Sequence, residues 1–426
     1  MKRGHLQAKK KSPTDRNLIR HGARDLEVQS LGLENAFMKK FLWLFSAVIV
    51  ISLHVLWCLP LPAAGVAQFL DSGQDLGNRT SLSVALADLD GDSDLDAVVS
   101  NHTHSSRVWL NDGHGGFTDS GQDLGDGFTA GLAVSLADLD GDHDVDIVFA
   151  NDSDQANTFW FNDGTGVFSN SGETLGAGFS KGVRLADLDG DDDIDVFIAN
   201  FGQPNKVWIN DGSGSFTDSG QSLGNANSHA VALADLNGDG HIDAFVANSE
   251  QPNTVWINDG SGSFTDSGQS LGNANSYGLA LGDLDGDNDI DAFVANFGQP
   301  DTVWINDGSG SFTDSGQSLG NSNSHAVALA DLDGDGHIDA FVANSEQPNT
   351  VWINDGSGSF TDSGQSLGNA NSYGLALGDL DGDNDIDAFV ANYISEATGE
   401  PNKVWVNQFR SGTVCISATL SLLLKN

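Results

Sequence analysis

Two cysteines, Cys58 and Cys415, in a chain of 426 residues leave no disulfide framework to hold a fold together. Proline is also scarce, at 8 residues, against 52 glycines; that balance excludes a proline-rich linker or collagen-like chain and favours many tight turns. Basic side chains number 18 against 60 acidic ones, a formal charge of −42. A binder of nucleic acid or of an anionic membrane surface would carry the opposite sign, so both partners are excluded. No stretch beyond residue 67 has a helical apolar stripe, and neither a G-x-S-x-G elbow nor a phosphate-binding loop occurs. Hydrophobic residues still make up 39%, enough to build a core. What holds the chain must be packing, metal, or both.

The basic residues are unevenly placed. Residues 1–67 hold ten of the 18 Lys and Arg and four acids, Asp15, Asp25, Glu27 and Glu34; the remainder carries 8 basic against 56 acidic side chains, net −48. From Met38 the chain reads M-K-K, then an apolar run from Phe41 to Leu59, then small residues ending Gly65-Val66-Ala67. This is the three-part pattern of a secretory signal, with cleavage after Ala67; a signal anchor is the competing reading, because the run is long enough to span a bilayer. Residues 1–37 then read as an upstream mis-assigned start or a cytoplasmic leader, 38–67 as the signal and 68–407 as the exported domain. Residues 408–426 form an apolar tail, either an extra strand or the remnant of a lost module. On either reading the bulk of the chain is secreted or displayed outside the cell, with no membrane contact by the domain itself.

That domain is a repeat. The segment D-L-D-G-D-x-D-x-D or a close variant begins at Asp88, Asp138, Asp187, Asp235, Asp283, Asp331 and Asp379, with spacings of 50, 49, 48, 48, 48 and 48 residues. A tryptophan keeps the same beat at Trp109, Trp160, Trp208, Trp256, Trp304, Trp352 and Trp405, and a phenylalanine does so from Phe69 to Phe360. Each unit contains four short strand-like runs, shown by V-A-L-A-D, I-D-A-F-V-A-N, T-V-W-I-N and F-T-D-S-G-Q-S-L around Asp235. Asn258-Asp259-Gly260 marks a turn that needs positive φ. Four strands per unit and a period in the forties predict an all-β, seven-bladed propeller of four-stranded antiparallel blades. The chain opens with a fourth-strand marker, Phe69–Leu76, and ends on a third-strand marker at Trp405. Pairing the two would close the ring and remove two exposed edges.

Alternating acids in a nine-residue turn suit a hard cation, because calcium takes six to eight oxygen ligands. The candidate ligands are Asp88, Asp90, Asp92, Asp94 and Asp96; Asp138, Asp140, Asp142, Asp144 and Asp146; Asp187, Asp189, Asp191, Asp193 and Asp195. They continue as Asp235, Asn237, Asp239, His241 and Asp243; Asp283, Asp285, Asp287, Asp289 and Asp291. The last two sets are Asp331, Asp333, Asp335, His337 and Asp339, and Asp379, Asp381, Asp383, Asp385 and Asp387. His at position 7 of two loops is compatible with a ligand supplied there by the backbone carbonyl. Position 6 is Gly240 or Gly336 in the His loops; Ser93 and His143 fit the turn less comfortably. A merely solvated acidic surface fails on magnitude: like charges about 4 Å apart repel by roughly 1–4 kcal/mol per pair. Up to seven Ca2+ are expected, and their removal should loosen the ring.

The loop, the following N-D-G-x-G-x-F and the seven units resemble the FG-GAP/VCBS repeat family, which includes the integrin α-subunit head propeller. The resemblance covers residues 69–407, and Asp331 to Asp339 matches the integrin loop D-x-D-x-D-G-x-x-D. Literal Phe-Gly and Gly-Ala-Pro signatures are absent, all seven units carry a loop, and no inserted adhesion domain or stalk is present. The resemblance implies a calcium propeller that binds an extracellular glycan or protein, as integrin heads and fungal propeller lectins do.

Candidate catalytic groups are few. His102, His104 and His114 are near in sequence, and read mainly as solvated loop residues. His229 with His325, and Tyr277 with Tyr373, occupy equivalent positions before a first strand, where they would line a rim or channel. Residues 253–296 and 349–392 are the same 44-residue string, so a two-blade unit has been copied. Copying multiplies like sites, whereas catalysis needs unlike groups to converge once. The expectation is a multivalent binding or adhesion module with no catalytic residues assigned. The alternative is an extracellular polysaccharide-degrading enzyme of lyase type on the same propeller.

Overall fold

The computed structural model describes residues 52–60, 67–125, 131–393, 400–408 and 413–421. Seven four-stranded antiparallel sheets follow one another along the chain. Their inner strands are Ser81–Ala87, Gly131–Ala137, Ser180–Ala186, Ser228–Ala234, Ser276–Gly282, Asn323–Ala330 and Ser372–Gly378, which define blades I to VII. Each inner strand packs beside the next, and that of blade VII returns to blade I, so the sheets form a closed ring. No helix occurs among the described residues, and none is therefore long and apolar enough to cross a membrane. Ser52–Pro60 and Thr413–Ser421 pair as a separate two-stranded ribbon; the rest of the apolar leader lies outside the described residues.

Blade IV shows how the sequence makes a blade: Ser228–Ala234, Asp243–Asn248, Thr254–Asn258 and Phe264–Asp266 pair in order. The expected outer run of eight residues is shorter. After Asp266 the chain turns through Gly268, whose φ is 78°, and Leu271 rejoins the blade by an isolated bridge to Asn253. The N-terminal segment completes blade VII as expected: Phe69, Leu70 and Asp71 pair with Asn407, Val406 and Trp405, and Leu76 bridges Asn402.

Every second strand is buried along its whole length, because each blade is covered on both faces by a neighbour. The core is accordingly seven inter-blade clusters, one at each junction, including VII to I. Rings meet edge to face across junctions, as in Phe245–Phe312 at 5.2 Å and the closing pair Phe69–Phe341 at 5.2 Å. Such pairs add about 0.5–1.5 kcal/mol beyond burial. The repeated tryptophans are also inter-blade packing: Trp256 lies against Gly224 of blade III and Trp405 against Gly368 of blade VI, where an added Cβ would come to 3.2 Å from the indole.

Two polar devices staple the junctions. The amide of the third-strand asparagine donates to the carbonyl of a leucine one blade back, from Asn162 to Leu89 at 2.8 Å and onward to Asn111 and Leu380 at 2.9 Å. A glutamine clamps the next blade from the outside. Gln221 Nε2 donates to Gly262 O at 2.6 Å while its Oε1 accepts from Phe264 N at 2.8 Å, and Gln365 does the same to Ala67 and Phe69 across the closure. At the junction of blades II and III the equivalent residue is Glu173, which has no N–H to give. Glu173→Gln is expected to raise stability by about 1 kcal/mol, the net worth of a hydrogen bond. An unchanged denaturation midpoint would show that the clamp contributes nothing there.

Candidate metal centres and the channel mouth

Each acidic loop joins the inner strand to the second strand of its blade. Its second residue is a leucine, 1% exposed in all seven loops, which plugs the inter-blade core and anchors the turn. Position 6 is left-handed throughout: φ is 76° at Ser93, 73° at His143 and 72° at Asp192, against 88° at Gly240 and 90° at Gly336. The strain expected from sequence at the non-glycine residues is therefore real.

The backbone organises the carboxylates. Asp88 accepts from Gly91 N at 2.8 Å and Ser93 N at 3.0 Å, closing the turn around itself. Asp96 opens the second strand fully buried, and its two oxygens accept from Leu89 N at 3.0 Å and Asn111 N at 2.8 Å. Asp92 accepts from Asp94 N at 3.0 Å. One oxygen each of Asp90, Asp140 and Asp189 is buried with no hydrogen-bond partner. The same geometry recurs around the ring.

Positions 1, 3 and 9 converge. Ligand atoms of Asp88, Asp90 and Asp96 lie within 4.8 Å of one another, as do those of Asp138, Asp140 and Asp146; Asp187, Asp189 and Asp195; Asp283, Asp285 and Asp291; and Asp331, Asp333 and Asp339. In blade IV, Asn237 Oδ1 accepts from Asp239 N at 2.9 Å. Side chains at position 7 turn away onto the glycine of the Asn-Asp-Gly turn: Asp94 over Gly113, Asp144 over Gly164, His241 over Gly260, His337 over Gly356.

Burial pushes the position-9 carboxyls up, to about 6 at Asp96, Asp195 and Asp291 and about 7 at Asp146, Asp339 and Asp387, against the pull of two backbone N–H groups each. Burial, then the neighbouring acid at position 5, raises Asp90, Asp140, Asp285 and Asp333 as well. Desolvated carboxylates with orphaned oxygens, in an all-oxygen donor set, fit a hard divalent cation. The loops can hold metal ions.

The opposite ends of the inner strands build a second feature. Each strand begins near the mouth of the central channel, which is lined by the residue after its buried Ser or Gly (Leu82, Leu132, Lys181, His229, Tyr277, His325 and Tyr373), and ends at the acidic loop roughly 20 Å away. His229, Tyr277, His325 and Tyr373 stand side by side there, as their equivalence in sequence suggested. His229 stacks on Tyr277 at 4.2 Å and His325 on Tyr373 at 3.8 Å; Tyr373 stacks on Tyr393 at 4.8 Å. Burial holds His229 down to about 4 and His325 to about 3, so both imidazoles are neutral at physiological pH. They border a cavity of about 360 Å³ that also touches Lys181 and Asp152, an ion pair at 2.9 Å. The three early histidines do not form a cluster: His102 lines this mouth, while His114 sits in the Asn-Asp-Gly turn of blade I. Asn101 and Asn151, two of three N-x-Ser/Thr matches, are 1% exposed and engaged in blade hydrogen bonds.

Comparison with solved structures supports the fold alone. The amino-terminal part of BBS1, solved in complex with ARL6 and soaked with lead, is similar at a TM-score of 0.56 and 11% identity, over 80% of this chain and 97% of that one. The same complex soaked with mercury gives 0.57 at 11% identity, over 83% and 100%. No curated protein matches in sequence. The FG-GAP-like repeat model matches residues 88–149, 138–198, 187–246, 235–294, 283–342 and 331–390. With six overlapping matches across the ring of blades, the chain belongs to the FG-GAP repeat family.

Proposed function

We propose that this chain is an exported, calcium-loaded propeller that acts as a multivalent binding or adhesion module toward an extracellular glycan or protein. The observation that carries the reading is the sevenfold recurrence of one acidic loop on a family scaffold that serves binding in general. Residues at positions 1, 3, 5 and 9 would supply carboxylate or amide oxygens, and position 7 its carbonyl. Calcium would neutralise charges that otherwise repel, and so tie the inner strand of each blade to its second strand. The basic-then-apolar segment 38–67 supports export, as does the typically extracellular setting of FG-GAP repeat proteins. The test is a glycan and matrix-protein array probed with the calcium-loaded chain beside a chelated control. Calcium-dependent, saturable hits support the module; a blank array in both conditions contradicts it. Release of shortened sugar from a bound glycan would instead make the propeller an enzyme.

A further inference from the structure

One cation in the ring lacks a counter-charge. Arg79, Arg107, Lys181, Lys206 and Lys403 each lie within 4.0 Å of an aspartate. Arg184 has no acidic partner at that range among the described residues; its guanidinium donates only to Val183 O, at 2.8 Å. It lines the central channel, whose wall is otherwise mainly small and apolar residues such as Gly182, Ala230, Gly278 and Ala326. The equivalent residue is Ala85, Ser135, Ala232, Ala280, Ala328 or Ala376 in the other six blades, so the arginine is a departure from the repeat. Arg184 is exposed to the water of the channel and has no acid within ion-pair range among the described residues, so in this acidic protein its guanidinium is free to take an anion.

The channel opens onto the aromatic mouth, and beside the mouth lies a groove of about 650 Å³. Phe179 and Phe201, 38% and 36% exposed, are two of only four large hydrophobic side chains exposed among the described residues, and both line this groove. Around them stand the amides of Gln203, Asn227 and Asn275, with Glu250 and the Asp152–Lys181 ion pair also on the groove wall. The groove itself therefore suits an uncharged sugar unit, and the carboxylate must sit in the channel. Open aromatic faces beside uncharged amides suit the apolar face and hydroxyls of a sugar ring. Arginine is the side chain best shaped to take a carboxylate in two parallel hydrogen bonds.

We propose that the mouth, bore and groove form one site per chain for the end of an acidic glycan, its terminal carboxylated sugar directed at Arg184 and the preceding unit lying across Phe201 and Phe179. This deepens the binding reading above and rests on it, but differs in stoichiometry: the copied His and Tyr positions converge on a single mouth instead of forming separate sites.

The test is titration calorimetry of the calcium-loaded full chain with a galacturonate trimer, and with a neutral trimer of the same length. Two variants accompany it. Arg184→Ala and Phe201→Ser install residues that sister blades already carry, at Ala232 and Ser249, so both should fold. One uronate trimer per chain is expected, with binding weakened at least about tenfold by Arg184→Ala, since hydrogen bonds to a charged group are being removed. Phe201→Ser should weaken acidic and neutral trimers alike. Absence of uronate binding, equal affinity for both trimers, or indifference to Arg184→Ala would overturn the proposal. An acidic peptide binding more tightly than the uronate would overturn it too. Array hits that persist in both variants would leave the general binding function standing while removing this site from it.

Discussion

Chelating calcium is expected to lower the melting temperature of this protein by more than about 20 °C. A ligand present at a hundred times its dissociation constant stabilises the folded state by about 2.7 kcal/mol per site. Seven loops of the same design, occupied to that degree, would together contribute on the order of 19 kcal/mol. Each kcal/mol moves the midpoint by roughly 1–2 °C in a ring of this size, less than in smaller domains. The effect should be large because position 9 is doubly placed: Asp96 and its equivalents are fully buried and also hold the N–H groups that close the loop. Without a cation they remain desolvated beside other carboxylates. Thermal scans in millimolar calcium and in excess chelator would measure this directly, and coincident curves would remove calcium from the account of stability.

The second large effect concerns a single carboxyl away from the loops. At or just before the start of the third strand, five blades place an asparagine, at Asn157, Asn205, Asn253, Asn349 and Asn402, whose side-chain oxygen accepts a backbone N–H at 2.8–2.9 Å. Blade V has Asp301 there, 3% exposed, accepting from Asn296 N at 2.7 Å and from the Ser324 hydroxyl at 3.1 Å. Burial pushes its carboxyl from the ordinary 3.8 up to about 7. A carboxyl raised on folding favours the folded state below its unfolded pKa, and that advantage is lost as pH rises through the folded value. Relative to Asp301→Asn, the native chain should therefore lose stability between about pH 4 and pH 8, by up to about 4 kcal/mol. The asparagine repeats what five sister blades carry, so the variant should fold and be the more stable form at pH 8. Denaturation midpoints of both proteins in calcium, at pH 5 and pH 8, decide this. Parallel pH profiles would show that Asp301 does not ionise at a cost.

Much of the architecture was legible because the repeat exposes it. The beat of Asp, Trp and Phe counts the blades, and a leading Phe69 segment facing a trailing Trp405 segment announces the closure found between Phe69 and Asn407. The rim position of His229, Tyr277, His325 and Tyr373 was readable too, since four residues at one place in four units must share one end of a ring. The ends of strands were less legible. F-T-D-S-G-Q-S-L reads as one strand, yet the ladder of blade IV stops at Asp266 and the chain turns through Gly268; only in blade II does the outer strand carry on past the equivalent left-handed glycine, Gly172, with a shifted register. The glutamine clamp has a periodic signal in the sequence: Gln74, Gln122, Gln221, Gln269, Gln317 and Gln365 keep the same period as the phenylalanines. Its partners lie in the neighbouring blade, 41 to 46 residues ahead, or across the closure for Gln365, so no local pattern marks the contact. Arg184 and Asp301 are hidden for the opposite reason, since a repeat shows what recurs. Both matter as exceptions to the repeat: a cation in the bore with no acidic partner among the described residues, and a carboxyl among amides.

The central claim is that the acidic loops are calcium sites, and counting the metal tests it most directly. The full chain, dialysed against calcium and then freed of loose ions, would be measured by native mass spectrometry alongside elemental analysis. The account requires close to seven calcium ions per chain, one for each loop from Asp88 to Asp379. Fewer than one ion per chain at saturating calcium would contradict it.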